Sequence, residues 1–251
     1  MISIALLSDV HGNLEALDAV LAHLQITAPH AARYHLGDLV GYSANPNEVV
    51  SRLDAEAIPG VAGNYDSTVA QGYRHCGCRA DTARQEELAH ESFAWTLANT
   101  TEGTKRRLAA LPFRLDIRPL GGHVAGPRVV LLHAHTSNNL VYVTGDRPDD
   151  FLRKMGAAVD AEAGDVIAFG HTHKPWHRVV DGVHYVNTGS VGRPKDGDPR
   201  SGYAMLHVSP DGVIRLEHLR VPYDVESTAA KVLAAGLPVD FADFLRTGGR
   251  S

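Results

Sequence analysis

The stretch Ile2-Ser3-Ile4-Ala5-Leu6-Leu7-Ser8-Asp9-Val10-His11-Gly12-Asn13 decides how the chain is read. A short apolar run stops abruptly at a carboxylate and an imidazole, and Gly12-Asn13 supplies a turn and a helix start. Leu14, Leu17, Leu21 and Leu24 then recur at three- and four-residue spacing, which predicts an amphipathic helix ending near Ala28-Pro29. Strand, polar loop and helix follow one another within thirty residues.

The same unit repeats downstream. Residues 32–36 form a second short strand that stops at Gly37-Asp38, and Pro46 sits at the first turn of a helix carrying Val49, Val50 and Leu53. A third strand near Ala57–Ala62 stops at Gly63-Asn64. The alternation predicts a parallel sheet with helical crossovers. Residues 66–82 lose the rhythm, as a binding loop or lid would, and 83–111 read as helices. In the second half Val129–Leu132 leads to His133 and Val166–Phe169 leads to Gly170-His171. Short strands at 178–180, 183–186, 203–208 and 213–219 follow, with Asp181-Gly182 and Asp211-Gly212 as hairpin turns, so this half is expected to be largely antiparallel. From Tyr223 the chain reads helical. No repeat or linker divides it, which predicts one domain over 1–251, with 66–111 as a lid or helical insertion.

Bulk properties narrow the function classes. The 251 residues are 44% hydrophobic and 21% charged, ordinary for a globular protein. A net charge of −5 offers no basic field to recruit nucleic acid in bulk. The apolar N-terminal run lacks a basic leader, and no stretch approaches the roughly 20 apolar residues of a membrane span. Two cysteines, Cys76 and Cys78, make no disulfide framework, so a reducing, cytoplasmic setting is expected and the pair reads as a turn. With His75 they fall short of a tetrahedral metal set. The unusual count is 15 dispersed histidines.

Five strands end in Asp, Asn or His: Asp9 and His11, Asp38, Asn64, His133, then His171 and His173. Ligands of α/β sheets bind at the C-terminal strand edge, where loops from distant parts of the chain converge. Any one of these residues alone reads as a cap, a turn former or a satisfied histidine. Together they are a donor set of carboxylate, amide and imidazole without thiolate, which suits manganese, with iron, zinc or nickel as alternatives. Asp38 can bridge two ions. Two ions about 3.5–4 Å apart can clamp a phosphoryl group and generate hydroxide for in-line attack.

In order, Asp9-Val10-His11-Gly12-Asn13, Gly37-Asp38-Leu39-Val40-Gly41, Gly63-Asn64-Tyr65-Asp66, His133 and Gly170-His171-Thr172-His173 resemble the motifs of the calcineurin-like metallophosphoesterases, and of their compact bacterial and archaeal phosphodiesterase-like branch. The blocks cover residues 1 to about 190, and five in order form a specific pattern. The resemblance implies two packed mixed β-sheets flanked by helices, an α/β four-layer α/β/β/α sandwich. It implies one divalent ion on Asp9, His11, Asp38 and His173, a second on Asp38, Asn64, His133 and His171, and hydrolysis of a small phosphoester. A phosphodiester, nucleotide-derived compounds included, is the preferred substrate. A phosphomonoester or a dinucleoside polyphosphate is the alternative, and a catalytically weak interaction module is the alternative of another class.

Two departures qualify the resemblance. Tyr65 stands where the family commonly has His, and a phenol with a pKa of about 10 is poorly matched to acid–base work near neutrality. His135 lies two residues beyond His133, so either can be the ligand. His133, directly after the apolar run, is preferred, and His135 becomes a candidate proton donor. Asn13 is expected to reach substrate or orient a ligand, or simply to cap its helix. Arg193 and Lys195, in a Gly- and Pro-rich loop, are candidates to meet phosphate charge.

Overall fold

The computed structural model describes residues 1–80, 82–121 and 126–249. In chain order the elements are β1 (Ile2–Leu7), α1 (Leu14–Thr27), β2 (Ala32–His35), α2 (Pro46–Ala55), α3 (Asn64–Ala70), α4 (Ala83–Asn99), α5 (Glu102–Ala109), β3 (Leu115–Ile117), β4 (Val129–Leu131), α6 (Asp149–Ala157), β5 (Val166–Phe169), β6 (Trp176–Val180), β7 (Val183–Asn187), β8 (Ser201–Val208), β9 (Ile214–Val221), α7 (Val225–Ala234) and α8 (Val239–Thr247). They form two mixed sheets, ordered β2-β1-β8-β9 and β3-β4-β5-β7-β6, flanked by helices.

Strand periodicity explains the layering. Successive side chains of a strand point to opposite faces. In β1, Ile4 and Leu6 point into a core shared with Ala204, Leu206 and Val208 of β8 and with Val129, Leu131, Val166, Ala168 and Val186 of the other sheet. The alternate residues Ala5 and Leu7 turn outward to meet Leu17, Val20, Leu21 and Leu24 of α1 and Val49, Val50 and Leu53 of α2. On the second sheet, Val130, Ile167 and Phe169 face outward and pack on Leu152 and Met155 of α6. Both faces of both sheets are covered, so the central strands are apolar nearly throughout rather than alternating with polar residues.

Two expectations need correction and one needs refinement. Residues 57–62 form no strand: a single bridge pairs His35 with Gly60. Ala57 is left-handed at φ 52°, and Pro59 has no N–H to extend a ladder. The second half is largely antiparallel, in the pairs β3–β4, β6–β7, β8–β9 and β1–β8, but β4–β5 and β5–β7 pair parallel, so the second sheet is mixed. The segment 66–82 is helical at its start, since α3 runs to Ala70. No described helix is long and apolar enough to cross a membrane.

Leu206 is fully buried between the sheets. Leu206→Ala should destabilise the protein by about 2–5 kcal/mol in urea unfolding followed by circular dichroism. A smaller loss would mean that the two sheets are not packed tightly there.

Candidate metal centre

The C-terminal edges of the two sheets meet, and their loops are stitched together. Asp9 N donates to Gly37 O at 3.0 Å and His11 N to Asp38 O at 3.0 Å, joining the loops after β1 and β2. Gly170 N donates to His133 O at 2.8 Å, joining those after β4 and β5. Across the sheets, His171 N donates to Asp9 Oδ2 at 2.9 Å and His133 Nδ1 faces Leu36 O at 2.8 Å. Gly170 permits this approach: a Cβ there would lie 2.2 Å from Asp9 Oδ2. Gly63 does the same for Asp38, whose Oδ1 a Cβ would meet at 2.0 Å.

The seven residues are each at most 4% exposed. Asp9, His11 and His173 form one cluster of converging ligand atoms, and Asp38, His133 and His171 a second. Asn64 Oδ1 joins the second, 3.1 Å from His133 Nε2. Asp38 Oδ2 lies 3.4 Å from His133 Nε2 and 3.8 Å from His11 Nε2, between the clusters. Its other oxygen accepts from Tyr65 N at 2.9 Å.

Three histidines face backbone carbonyls with Nδ1: His11 to Val40 O at 3.0 Å, His133 to Leu36 O at 2.8 Å and His173 to Arg193 O at 2.6 Å. Each pairing assigns the N–H to Nδ1 in the neutral ring and aims the Nε2 lone pair into the site. The Nε2 atoms of His11 and His173 then stand 3.2 Å apart, and His173 Nε2 is 3.2 Å from Asp9 Oδ1. Burial, followed by the repulsion that a protonated His173 would exert, lowers His11 to about 3, and burial holds His173 well below its ordinary value, so both rings are neutral. Three acceptors converging without a proton between them fit a cation. Asp9 Oδ1 and His171 Nε2 are also buried without a hydrogen-bond partner. In the second cluster burial opposes protonation of His133, but the Asp38 carboxylate outweighs it and raises the ring to about 9.

The backbone is strained where it presents these groups. Asp9, His11, Asp38, His171 and His173 all have positive φ, between 51° and 65°. Such conformations cost about 1–3 kcal/mol each and persist where the surroundings hold them.

The softer candidates are placed unequally. Tyr65 is fully buried and lines the crevice, edge-on to His11 at 5.6 Å, with its hydroxyl donating to Ser92 Oγ at 3.3 Å. Burial holds this phenol well above its ordinary pKa, so it stays neutral. His135 lies outside the crevice lining, its Nδ1 2.9 Å from Ser137 Oγ. Asn13 caps α1, accepting from Ala16 N at 3.1 Å and donating to Gly192 O at 2.9 Å. Arg193 stands behind Tyr42, its guanidinium 3.9 Å from that ring and 3.8 Å from Phe244 of α8. Lys195 lines the crevice, and burial, reinforced by Arg193, lowers its ammonium to about 7.

Other contributors carry weaker marks in the sequence. Ser8 donates to Asp9 Oδ2 at 2.6 Å. Asp66 accepts from Leu39 N at 2.8 Å and Gly63 N at 2.9 Å, tying the two loops that carry Asp38 and Asn64. Tyr142, 4.3 Å from the His171 ring, sits in a loop with no motif around it. Cys76 and Cys78, read above as a plain turn, are joined in a disulfide, with Gly77 at φ 73° closing the small ring.

Comparison with known proteins agrees with this geometry. A family model for the calcineurin-like phosphoesterase superfamily domain matches residues 2–211. The chain therefore belongs to the calcineurin-like phosphoesterase superfamily, a family of phosphoester hydrolases, and its two buried clusters fit the dinuclear centre typical of that family. Among its relatives, an uncharacterised protein of Methanocaldococcus jannaschii is 27% identical, covering 94% of this chain and 93% of that protein. A crystal structure of a metallophosphoesterase from Sphaerobacter thermophilus is 26% identical with a TM-score of 0.74, covering 98% of this chain and 99% of that one. A hypothetical protein from Pyrococcus horikoshii OT3 shares the fold with a TM-score of 0.82 over the full length of both chains, at 19% identity.

If the clusters hold two divalent ions, Asp38→Ala should leave one or none bound after loading with manganese, measured by elemental analysis after gel filtration. Two retained ions would reject the bridging position.

Proposed function

We propose that the protein is a dinuclear metal-dependent phosphodiesterase acting on a small diester, with nucleotide-derived diesters among its substrates. The observation that carries this reading is Asp38 Oδ2, which faces both clusters of converging donors at once. Asp9, His11, Asp38 and His173 would hold one ion, and Asp38, Asn64, His133 and His171 the other. Manganese suits this oxygen- and imidazole-rich set. Bound there, the ions supply neutralisation of charge on the phosphoryl oxygens and activation of the attacking water.

The chain's own residues then have distinct tasks. The carbonyls of Val40, Leu36 and Arg193 fix three imidazoles in one tautomer, so no ring has to turn during turnover. Ser8 and His171 N hold one oxygen of Asp9 and leave the other free. Lys195 is the one Lys or Arg among the described residues lining the crevice, and it would contact a phosphoryl oxygen. An incoming anion favours its charged form. Tyr65, a buried neutral phenol, can donate a hydrogen bond but is poorly matched to proton transfer near neutrality. Diesters with good leaving groups are therefore the expected substrates.

Release of nitrophenol from bis(p-nitrophenyl) phosphate should require added manganese, exceed release from the monoester, and cease on chelation. No turnover with two ions bound would overturn the enzymatic reading, and preference for the monoester would overturn the diester assignment. Lys195→Ala should lower kcat/KM about 10–100-fold, as expected for loss of a charged hydrogen bond to the phosphoryl group. An unchanged value would remove Lys195 from the site. Tyr65→His should raise the rate on alkyl esters more than on nitrophenyl esters, and equal effects on both would show that the leaving-group proton does not limit turnover.

A further inference from the structure

The Cys76-Gly77-Cys78 loop between α3 and α4 has no part in the hydrolytic scheme, yet it touches the centre. Asn64, the first residue of α3, donates through Nδ2 to Cys76 O at 3.1 Å, and Cys78 Sγ lies 3.5 Å from the same nitrogen. These contacts leave Oδ1 facing His133 Nε2. A side-chain amide has nearly the same shape when flipped. Its orientation is therefore set by what its NH2 meets, and only the oxygen can ligate an ion. The carbonyl of Cys76 supplies that discrimination.

The position of this carbonyl depends in turn on the small disulfide ring. Cys78 N donates to Cys76 Sγ at 3.2 Å, and Gly77 packs so closely that a Cβ would lie 2.7 Å from Leu140 Cδ2. Arg79 N donates to Tyr142 OH at 3.4 Å, beside the His171 ring. Cys78 forms part of the crevice wall. A larger cavity, bordered by His75, Glu86 and His90, also lies against the loop.

We infer that Cys76 and Cys78 are positioning residues for the second ion: the closed ring holds the Asn64 amide with its oxygen toward Asp38, His133 and His171, and opening the ring weakens that ion selectively. The inference rests on the reading of Asn64 as a ligand. Opening is a two-electron reduction by a dithiol. The S–S bond breaks, each sulfur takes one electron and one proton, and the dithiol becomes a disulfide. Among the described residues, Asp9, His11 and His173 form no hydrogen bond with Cys76, Gly77 or Cys78, so their cluster should keep its ion.

Calorimetric titration of the metal-free full chain with manganese tests this, comparing protein with no free thiol against protein reduced with dithiothreitol and desalted without oxygen. Reduction should weaken the second ion about 10–100-fold and change the first by less than about twofold, the usual effect of losing a partner that orients a ligand. Cys76→Ser/Cys78→Ser should titrate like the reduced protein and ignore dithiothreitol. Equal affinities in the two redox states overturn the inference, as do two cysteines that stay free under oxidised glutathione. The wild-type comparison decides the matter even where the double variant does not fold. Asn64→Ala should lose the second ion in both states. If it keeps both ions at unchanged affinity, the ligand assignment itself falls, and the inference with it.

Discussion

The arrangement depends on one electrostatic constraint: acceptor atoms are forced together away from water. Asp9 and Asp38 are buried, and three of the four imidazoles around them have committed their Nδ1 atoms to backbone carbonyls. Buried carboxylates need a counter-charge, and among the described residues no lysine or arginine forms an ion pair with either one, leaving the His133 ring beside Asp38 as the main protein-borne positive charge. Positive charge placed between the two clusters resolves the conflict, and Asp38 is positioned to share it. The left-handed backbone at five of the seven residues shows what the fold tolerates to keep this geometry.

The two-sheet architecture makes that geometry available. Asp9, His11 and Asp38 come from loops after the strands of one sheet, and His133, His171 and His173 from loops after those of the other. Face-to-face packing brings the two edges together, and direct bonds between their loops fix the spacing. Neither sheet alone carries a complete donor set. The apolar core between them therefore positions the chemistry as well as stabilising the fold.

Much of this was legible in the sequence because the signals are local. An apolar run ending in Asp or His marks a strand and its loop together, and the interdigitated motif order specifies the family. Pairing partners are not local, so the parallel run of β4, β5 and β7 escaped a reading dominated by hairpin turns such as Asp181-Gly182. The segment 57–62 is apolar enough to resemble a strand, but Pro59 and the left-handed Ala57 limit it to a bridge. Side-chain direction is equally hidden. Arg193 and Lys195 look alike in sequence, yet one stacks between aromatic rings and the other lines the crevice. Tyr142 is invisible without coordinates because nothing around it marks a site.

The stacked Arg193 has a consequence beyond local packing. Its carbonyl orients His173 while its guanidinium lies against Phe244 of α8, and Gly197 N in the same loop donates to Gly248 O at 2.8 Å. Docking of α8 and binding of an ion by His173 would thus be linked through one residue. By reciprocity, whatever free energy docked α8 lends to ion binding, bound ion must return to the docking of α8. On that linkage, a partner that grips or pulls α8 would bias the same equilibrium.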